Sequence, residues 1–209
     1  MTVNKNYAKI NDKFDERLDY MTDKHNKVTF FRFDVHFPEG FPHDGTNKDI
    51  STLFKRVKEP LTKAGNELHY VWCREQKTSE NPHYHVAGLG NGNLTQRAGG
   101  ILQDVSDNWK DITGSPKDGL IDHCNRYQGK RVPTQIRIDR PSSAKEGEEL
   151  IELRRQFEEK KEEARKRAHY LGKDDQKGNV PSRVREYGAS QVSAHPRLGR
   201  VRLGGLKTA

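Results

Sequence analysis

The sequence predicts an α+β fold: a ferredoxin-like βαββαβ antiparallel sheet followed by an added C-terminal helix that bears a tyrosine. Three patterns lead there. Short runs of period-two apolar alternation mark strands, and runs of period 3.6 between them mark helices. Their order is strand, helix, strand, strand, helix, strand, which is the split βαβ arrangement. A long, charged helical stretch then follows the last strand.

The elements follow in order. Tyr7, Ile10, Phe14, Leu18 and Met21 recur at helical spacing, predicting an amphipathic helix over residues 4–24. Residues 28–37 read as a strand that Pro38 and Gly40 terminate. Ile50, Leu53, Phe54, Val57, Leu61 and Ala64 make the next helix, kinked at Pro60 and closed by Gly65. Strands are expected at 67–75 and 83–89, joined by a polar turn through Ser79, Glu80, Asn81 and Pro82, with Gly88, Gly90 and Gly92 as an exit loop. Leu94, Ala98, Ile101, Leu102, Val105, Trp109 and Ile112 mark a further helix. The fourth strand has two competing candidates, Thr134–Ile138 and Leu120–Ile121. The long helix spans 144–171, acidic early and basic late, as the helix macrodipole favours.

This topology makes a statement about sides. Phe31, Phe33, Val35, Leu68, Tyr70, Trp72, Tyr84 and Val86 should meet the crossover helices. Asp34, His36, Glu75, His83 and His85 should converge at one edge of the opposite face, with the 144–171 helix as its cover.

Composition narrows the class of protein. The 209 residues are 33% charged and 31% hydrophobic, with a net charge of +8, so a polyanionic partner is favoured. Two cysteines without paired spacing, Cys73 and Cys124, indicate neither a disulfide framework nor a zinc ribbon. Neither a signal peptide nor a membrane-spanning apolar run is read, and a reducing bacterial cytoplasm is expected. There is no Walker sequence, so an ATP-driven helicase would be a separate protein.

The chemistry concentrates in two short motifs. His83 and His85, at i and i+2 on a strand, point to the same side and can grip one metal ion. Two imidazoles with a carboxylate suit a divalent ion, Mg²⁺ or Mn²⁺, that polarises a phosphodiester. Tyr170 and Lys173 share a helix face. A phenol needs help to lose its proton at neutral pH, and Lys173 can stabilise the phenolate or the phosphate it attacks. Candidate DNA contacts are Arg32, Arg165, Arg167, Lys177, Arg183 and Arg185, with a basic, Gly-rich tail beyond them.

Pro82-His83-Tyr84-His85-Val86 resembles the His-hydrophobic-His motif of HUH endonucleases, and Tyr170-Leu171-Gly172-Lys173 resembles their Tyr-x-x-Lys motif. Trp72-Cys73-Arg74-Glu75-Gln76, Arg32-Phe33-Asp34-Val35-His36 and Arg185-Glu186-Tyr187-Gly188-Ala189-Ser190 are similar to the inovirus-type replication protein group (YagK/YfjJ-like), over roughly residues 28–192. The resemblance implies a rolling-circle initiator of a phage, satellite or plasmid that nicks single-stranded origin DNA. Tyr170 would take the 5′-phosphate and leave a 3′-hydroxyl for a host polymerase. It implies His83 and His85 as metal ligands and Lys173 as helper. Glu75 as third ligand rests on the sheet geometry plus a looser family pattern, with Gln76 the alternative. Position 174 is Asp, so a Tyr-x-x-x-Tyr two-tyrosine cycle is not supported. The domains expected are an N-terminal helical extension (1–26), an HUH endonuclease domain (27–192) and a basic tail (193–209). The competing readings are a relaxase, a single-tyrosine transposase, and a non-catalytic nucleic-acid-binding module.

Overall fold

The computed structural model describes residues 5–76, 79–142, 144–172 and 180–192. Helix α1 (Lys5–Lys24) leads into β1 (Lys27–His36), α2 (Lys48–Lys63), β2 (Leu68–Glu75), β3 (His83–Asn91) and α3 (Gly99–Thr113). Next come β4 (Ile121–Asp122), a hairpin of β5 (Arg126–Tyr127) and β6 (Lys130–Arg131), and β7 (Gln135–Asp139). Helix α4 (Gly147–Ala168) continues into a single 3-10 turn, His169–Gly172, and β8 (Tyr187–Ala189) ends the described chain.

The main sheet runs β4-β1-β3-β2-β8, with β7 also beside β1. Strand β3 is antiparallel to both β1 and β2, and its register sets His83 opposite His36 and Glu75, and His85 opposite Asp34 and Cys73. Where one fourth strand was expected, two short ones share the edge. β4 pairs with Asp34 and Val35, β7 with Lys27–Phe31, and both candidate segments are strands.

The sheet buries both faces. Phe31, Phe33, Val35, Leu68, Trp72, Tyr84 and Val86 pack against α2 and α3, on the side the alternation assigns to them. The other face carries a second core, in which Val28, Phe30, Val71, Ala87 and Leu89 meet Ile10, Phe14, Leu18 and Met21 of α1 and Ala164, Ala168 and Leu171. Burying a large apolar side chain contributes roughly 1.5–3 kcal/mol, so the four from α1 rival the about 5–15 kcal/mol net stability of a typical domain. Helix α1 is therefore a wall of the fold, packed on the sheet rather than extending from it.

The glycines read as an exit loop turn out to belong partly to the strand. Gly88 and Gly90 lie inside β3, and a Cβ on Gly88 would sit 2.6 Å from the Phe31 ring. The glycine is there because an aromatic from the neighbouring strand fills the space. Among the described residues no helix is long and apolar enough to cross a membrane.

Glu67 ties α1 to the sheet. Its carboxylate accepts hydrogen bonds from Tyr20 (3.1 Å) and Lys24 (3.2 Å) and lies 2.8 Å from His25 Nε2 and 3.1 Å from His69 Nε2. Burial alone would raise its pKa, but these four donors hold it at about 2. A carboxyl depressed in the folded state stabilises the protein above its ordinary pKa of 4.5, and the contribution is lost as pH falls towards 2. Glu67→Gln should therefore cost about 1–3 kcal/mol in urea unfolding at pH 7. The gap to the wild type should narrow steadily below pH 4.5.

Candidate metal centre and tyrosine

Three short-range facts of the sheet assemble this site. Glu75 ends β2, His83 begins β3, and Glu75 faces His83 across the ladder. The two-residue period of β3 then lays His85 on the same face. The ligating atoms of Glu75, His83 and His85 all lie within 4.8 Å of one another. Glu75 Oε2 is 3.0 Å from His85 Nε2 and 3.5 Å from His83 Nε2. Desolvation works against its charge, but the two imidazoles hold Glu75 at about 2. Gln76 is engaged elsewhere: its Oε1 accepts from Arg74 (3.0 Å) and its Nε2 donates to the Glu80 carbonyl (3.0 Å).

The donor set fits a divalent cation. Two imidazole nitrogens and one carboxylate oxygen share a face, and the only ion-pair partners of Glu75 among the described residues are those two histidines. Among the same residues no lysine or arginine competes for the carboxylate. The cluster is thus able to chelate a divalent metal, with coordination positions left for other oxygens.

Around the cluster lies a second set of contacts. Asp34 Oδ1 sits 2.7 Å from His85 Nδ1 and 3.5 Å from the Arg32 guanidinium. Burial would push His85 down, yet Asp34 and Glu75 together carry it up to about 9. With Asp34 paired to the ring on its Nδ1 side, Nε2 is the nitrogen left for an ion, and a carboxylate so placed orients a ligand histidine. Asp34→Asn should weaken Mn²⁺ binding by about 10- to 100-fold in calorimetric titration. An unchanged affinity would remove Asp34 from this role. His36, on the same face, stacks on His83 with ring centres 5.5 Å apart.

Tyr170 stands above this arrangement. It lies on the 3-10 turn that continues α4, and at 38% exposure its ring is accessible. The ring centre is 6.2 Å from that of His85 with planes at 89°, and the Arg32 guanidinium lies 4.8 Å over its face. The turn is held from three directions. Leu171 is buried in the second core. His169 Nε2 lies 3.1 Å from Asp15, and Arg165 pairs with Asp15 (3.5 Å) and Asp19 (3.0 Å) on α1. A Cβ on Gly172 would come 2.7 Å from the Asn11 side chain, so the turn lies close on α1.

Not every residue expected on the DNA-facing surface is there. Arg165 is committed to Asp15 and Asp19. Arg167 is 3% exposed and donates to the carbonyls of Pro133 (2.8 Å) and Cys124 (3.5 Å), so it braces the chain internally. Arg32 is buried between Asp34 and Tyr170. Arg183 and Arg185 are exposed. Arg185 lines a cavity of about 510 Å³ with Lys13 and Arg17. Lys173, Lys177 and the 193–209 tail lie outside the described residues.

Two cavities flank the cluster. One, of about 490 Å³, is lined by Arg32, Asp34, His85, Tyr170 and residues of the β4–β6 segment. The other, of about 260 Å³, lies beyond His83 and His36. Sequence patterns did not reveal the first of these. The β5–β6 strands are two residues each with no apolar alternation, and only Gly129 signals a turn.

A family model described as a replication-associated protein of the ORF2 type matches residues 38–178, which include Glu75, His83, His85, Tyr170 and Lys173. No curated protein and no solved structure matches the chain.

Proposed function

The chain belongs to the ORF2 family of replication-associated proteins, within the HUH superfamily, and from that premise we propose that it starts rolling-circle replication by nicking single-stranded origin DNA through a covalent tyrosine ester. The observation that carries this reading is the placement of the Tyr170 ring 6.2 Å from the His85 ring, beside the Glu75/His83/His85 cluster. Nucleophile and cation site can then address one phosphate.

Glu75, His83 and His85 would hold Mg²⁺ or Mn²⁺, which supplies Lewis-acid polarisation of the scissile phosphate and neutralises its developing charge. The Tyr170 hydroxyl oxygen attacks phosphorus in line, its proton passing to solvent. The P–O3′ bond breaks, the 3′-oxygen takes up a proton, and the 5′-phosphate remains esterified to Tyr170. Arg32, stacked on the phenol ring, brings positive charge beside it and holds the ring plane. Lys173, three residues on, is the further candidate for that assistance. One phosphoester replaces another, so the bond energy is kept and a 3′-hydroxyl can reverse the step to rejoin the strand. The freed 3′-hydroxyl suits a host polymerase, and duplex unwinding falls to a separate helicase.

A denaturing gel tests this directly. End-labelled single-stranded DNA from the replicon that encodes the protein, incubated with Mn²⁺, should give a shortened strand and a slow protein–DNA adduct. Chelation should remove both. Cleavage with no adduct would point to hydrolysis and sink the tyrosine ester.

A further inference from the structure

The divided fourth strand does more than close the sheet. Asp122 still pairs with Asp34 and Gln135 pairs with Phe31, so residues 123–134 leave the sheet opposite Arg32 and Phe33 alone. This excursion folds into the β5–β6 hairpin and walls the 490 Å³ cavity that Tyr170 and His85 share. It is held at both feet and near its tip. Buried Arg167 donates to the carbonyls of Cys124 and Pro133, and Tyr127 Oη donates to the Lys166 carbonyl at 3.3 Å. Cys124 and Gln128 adopt φ of 43° and 49°, a left-handed backbone that costs non-glycine residues energy.

We propose that this cavity seats one nucleoside of the cut strand, the one adjoining the cleaved phosphate, and selects a base bearing an exocyclic amine over thymine. The assignment rests on the nicking reading above. Position gives the first argument. An occupant touching both Tyr170 and His85 is next to whatever phosphate the cluster and the phenol address. Size gives the second, since the volume lies in the roughly 300–1,000 Å³ range of small-ligand sites.

Lining chemistry gives the third. Asp34, Asp122, Asn125 and Gln128 contribute carboxylates and carboxamides to the wall, and Tyr127 contributes a ring on which a base can stack. Arg32 and Arg126 line the same cavity and balance the charge of the two carboxylates, which accept hydrogen bonds from amino groups. Asp34 is already committed to His85 and Arg32, and Asp122 accepts from the Cys124 backbone N–H at 2.9 Å with one oxygen. Among the described residues, the Asn125 and Gln128 carboxamides make no hydrogen bond within the protein and are exposed at the wall. Adenine, cytosine and guanine each offer an amine to such acceptors; thymine offers none.

Two measurements on the full chain decide it. In the first, wild-type protein with Mn²⁺ acts on a pool of randomised single-stranded DNA, and the nicked junctions are sequenced. In the second, non-cleaving Tyr170→Phe protein selects binders from the same pool. Both are repeated with Asn125→Ala/Gln128→Gly, glycine being chosen because position 128 has positive φ. One position adjoining the cut should deplete thymine about tenfold. The double variant should lose that bias there alone. A bias unchanged in the variant, or thymine preferred, overturns the cavity assignment while nicking stands. A variant-sensitive base bias in the binding selection, with no nicking by wild type, overturns the nicking reading while the cavity stands. Absence of both overturns the two together.

Discussion

Tyr170→Phe should abolish the covalent DNA adduct and lower nicking by roughly three orders of magnitude or more, as loss of a nucleophile does. The substitution removes one oxygen and leaves the ring. The contacts that position residue 170, an edge-on approach to His85 and the stacked Arg32 guanidinium, belong to that ring. Folding should hence survive, with little change in the melting midpoint, and binding of single-stranded DNA should stay near wild type. The separation of binding from cleavage distinguishes this reading from a non-catalytic module, whose function the variant would leave intact. An adduct that persists in Tyr170→Phe would move the nucleophile elsewhere, with Tyr187 the first to examine; it pairs with Cys73 at the sheet edge.

His83→Ala should reduce Mn²⁺ affinity by about 100-fold or more and take nicking with it, because one of three ligands is gone. His83 is the better choice of the two histidines. It is partly exposed, whereas His85 is buried between Asp34 and Glu75. Removing His85 leaves two carboxylates without their shared partner, and breaking a buried pair costs about 3–5 kcal/mol, so His85→Ala would confound chemistry with stability. The same contacts set a pH dependence. His85 holds its proton up to about 9 in the metal-free protein, and a cation must displace that proton. Mn²⁺ affinity should rise with pH through neutrality and level off near 9, with proton release seen by titration in buffers of different ionisation enthalpy. Undiminished nicking by His83→Ala would remove the cluster from the reaction.

Most of the site was legible because it depends on local rules. A strand alternates sides, so His83 and His85 face one way. An antiparallel hairpin brings the end of β2 to the start of β3, so Glu75 meets them. The remainder depended on long-range geometry. Phe31, Phe33 and Val35 announced one core by alternation, yet Val28 and Phe30 serve the other, and a strand buried on both sides blurs its own period. The fourth strand was faint because it is interrupted, and each candidate carried only part of the pairing. Arg165 and Arg167 look like phosphate ligands from their charge alone. Their acceptors, Asp15, Asp19 and the carbonyls of Cys124 and Pro133, lie far away in sequence.

The bracing of the 3-10 turn by α1 has a practical corollary. Asp15 and Asp19 grip the shaft on which the phenol is mounted, while the imidazoles are mounted on a different support, the sheet. Aim and grip are therefore set by separate parts of the chain. Asp15→Asn with Asp19→Asn, which keeps the buried apolar face of α1, would leave the Glu75/His83/His85 cluster in place while loosening the turn that carries Tyr170.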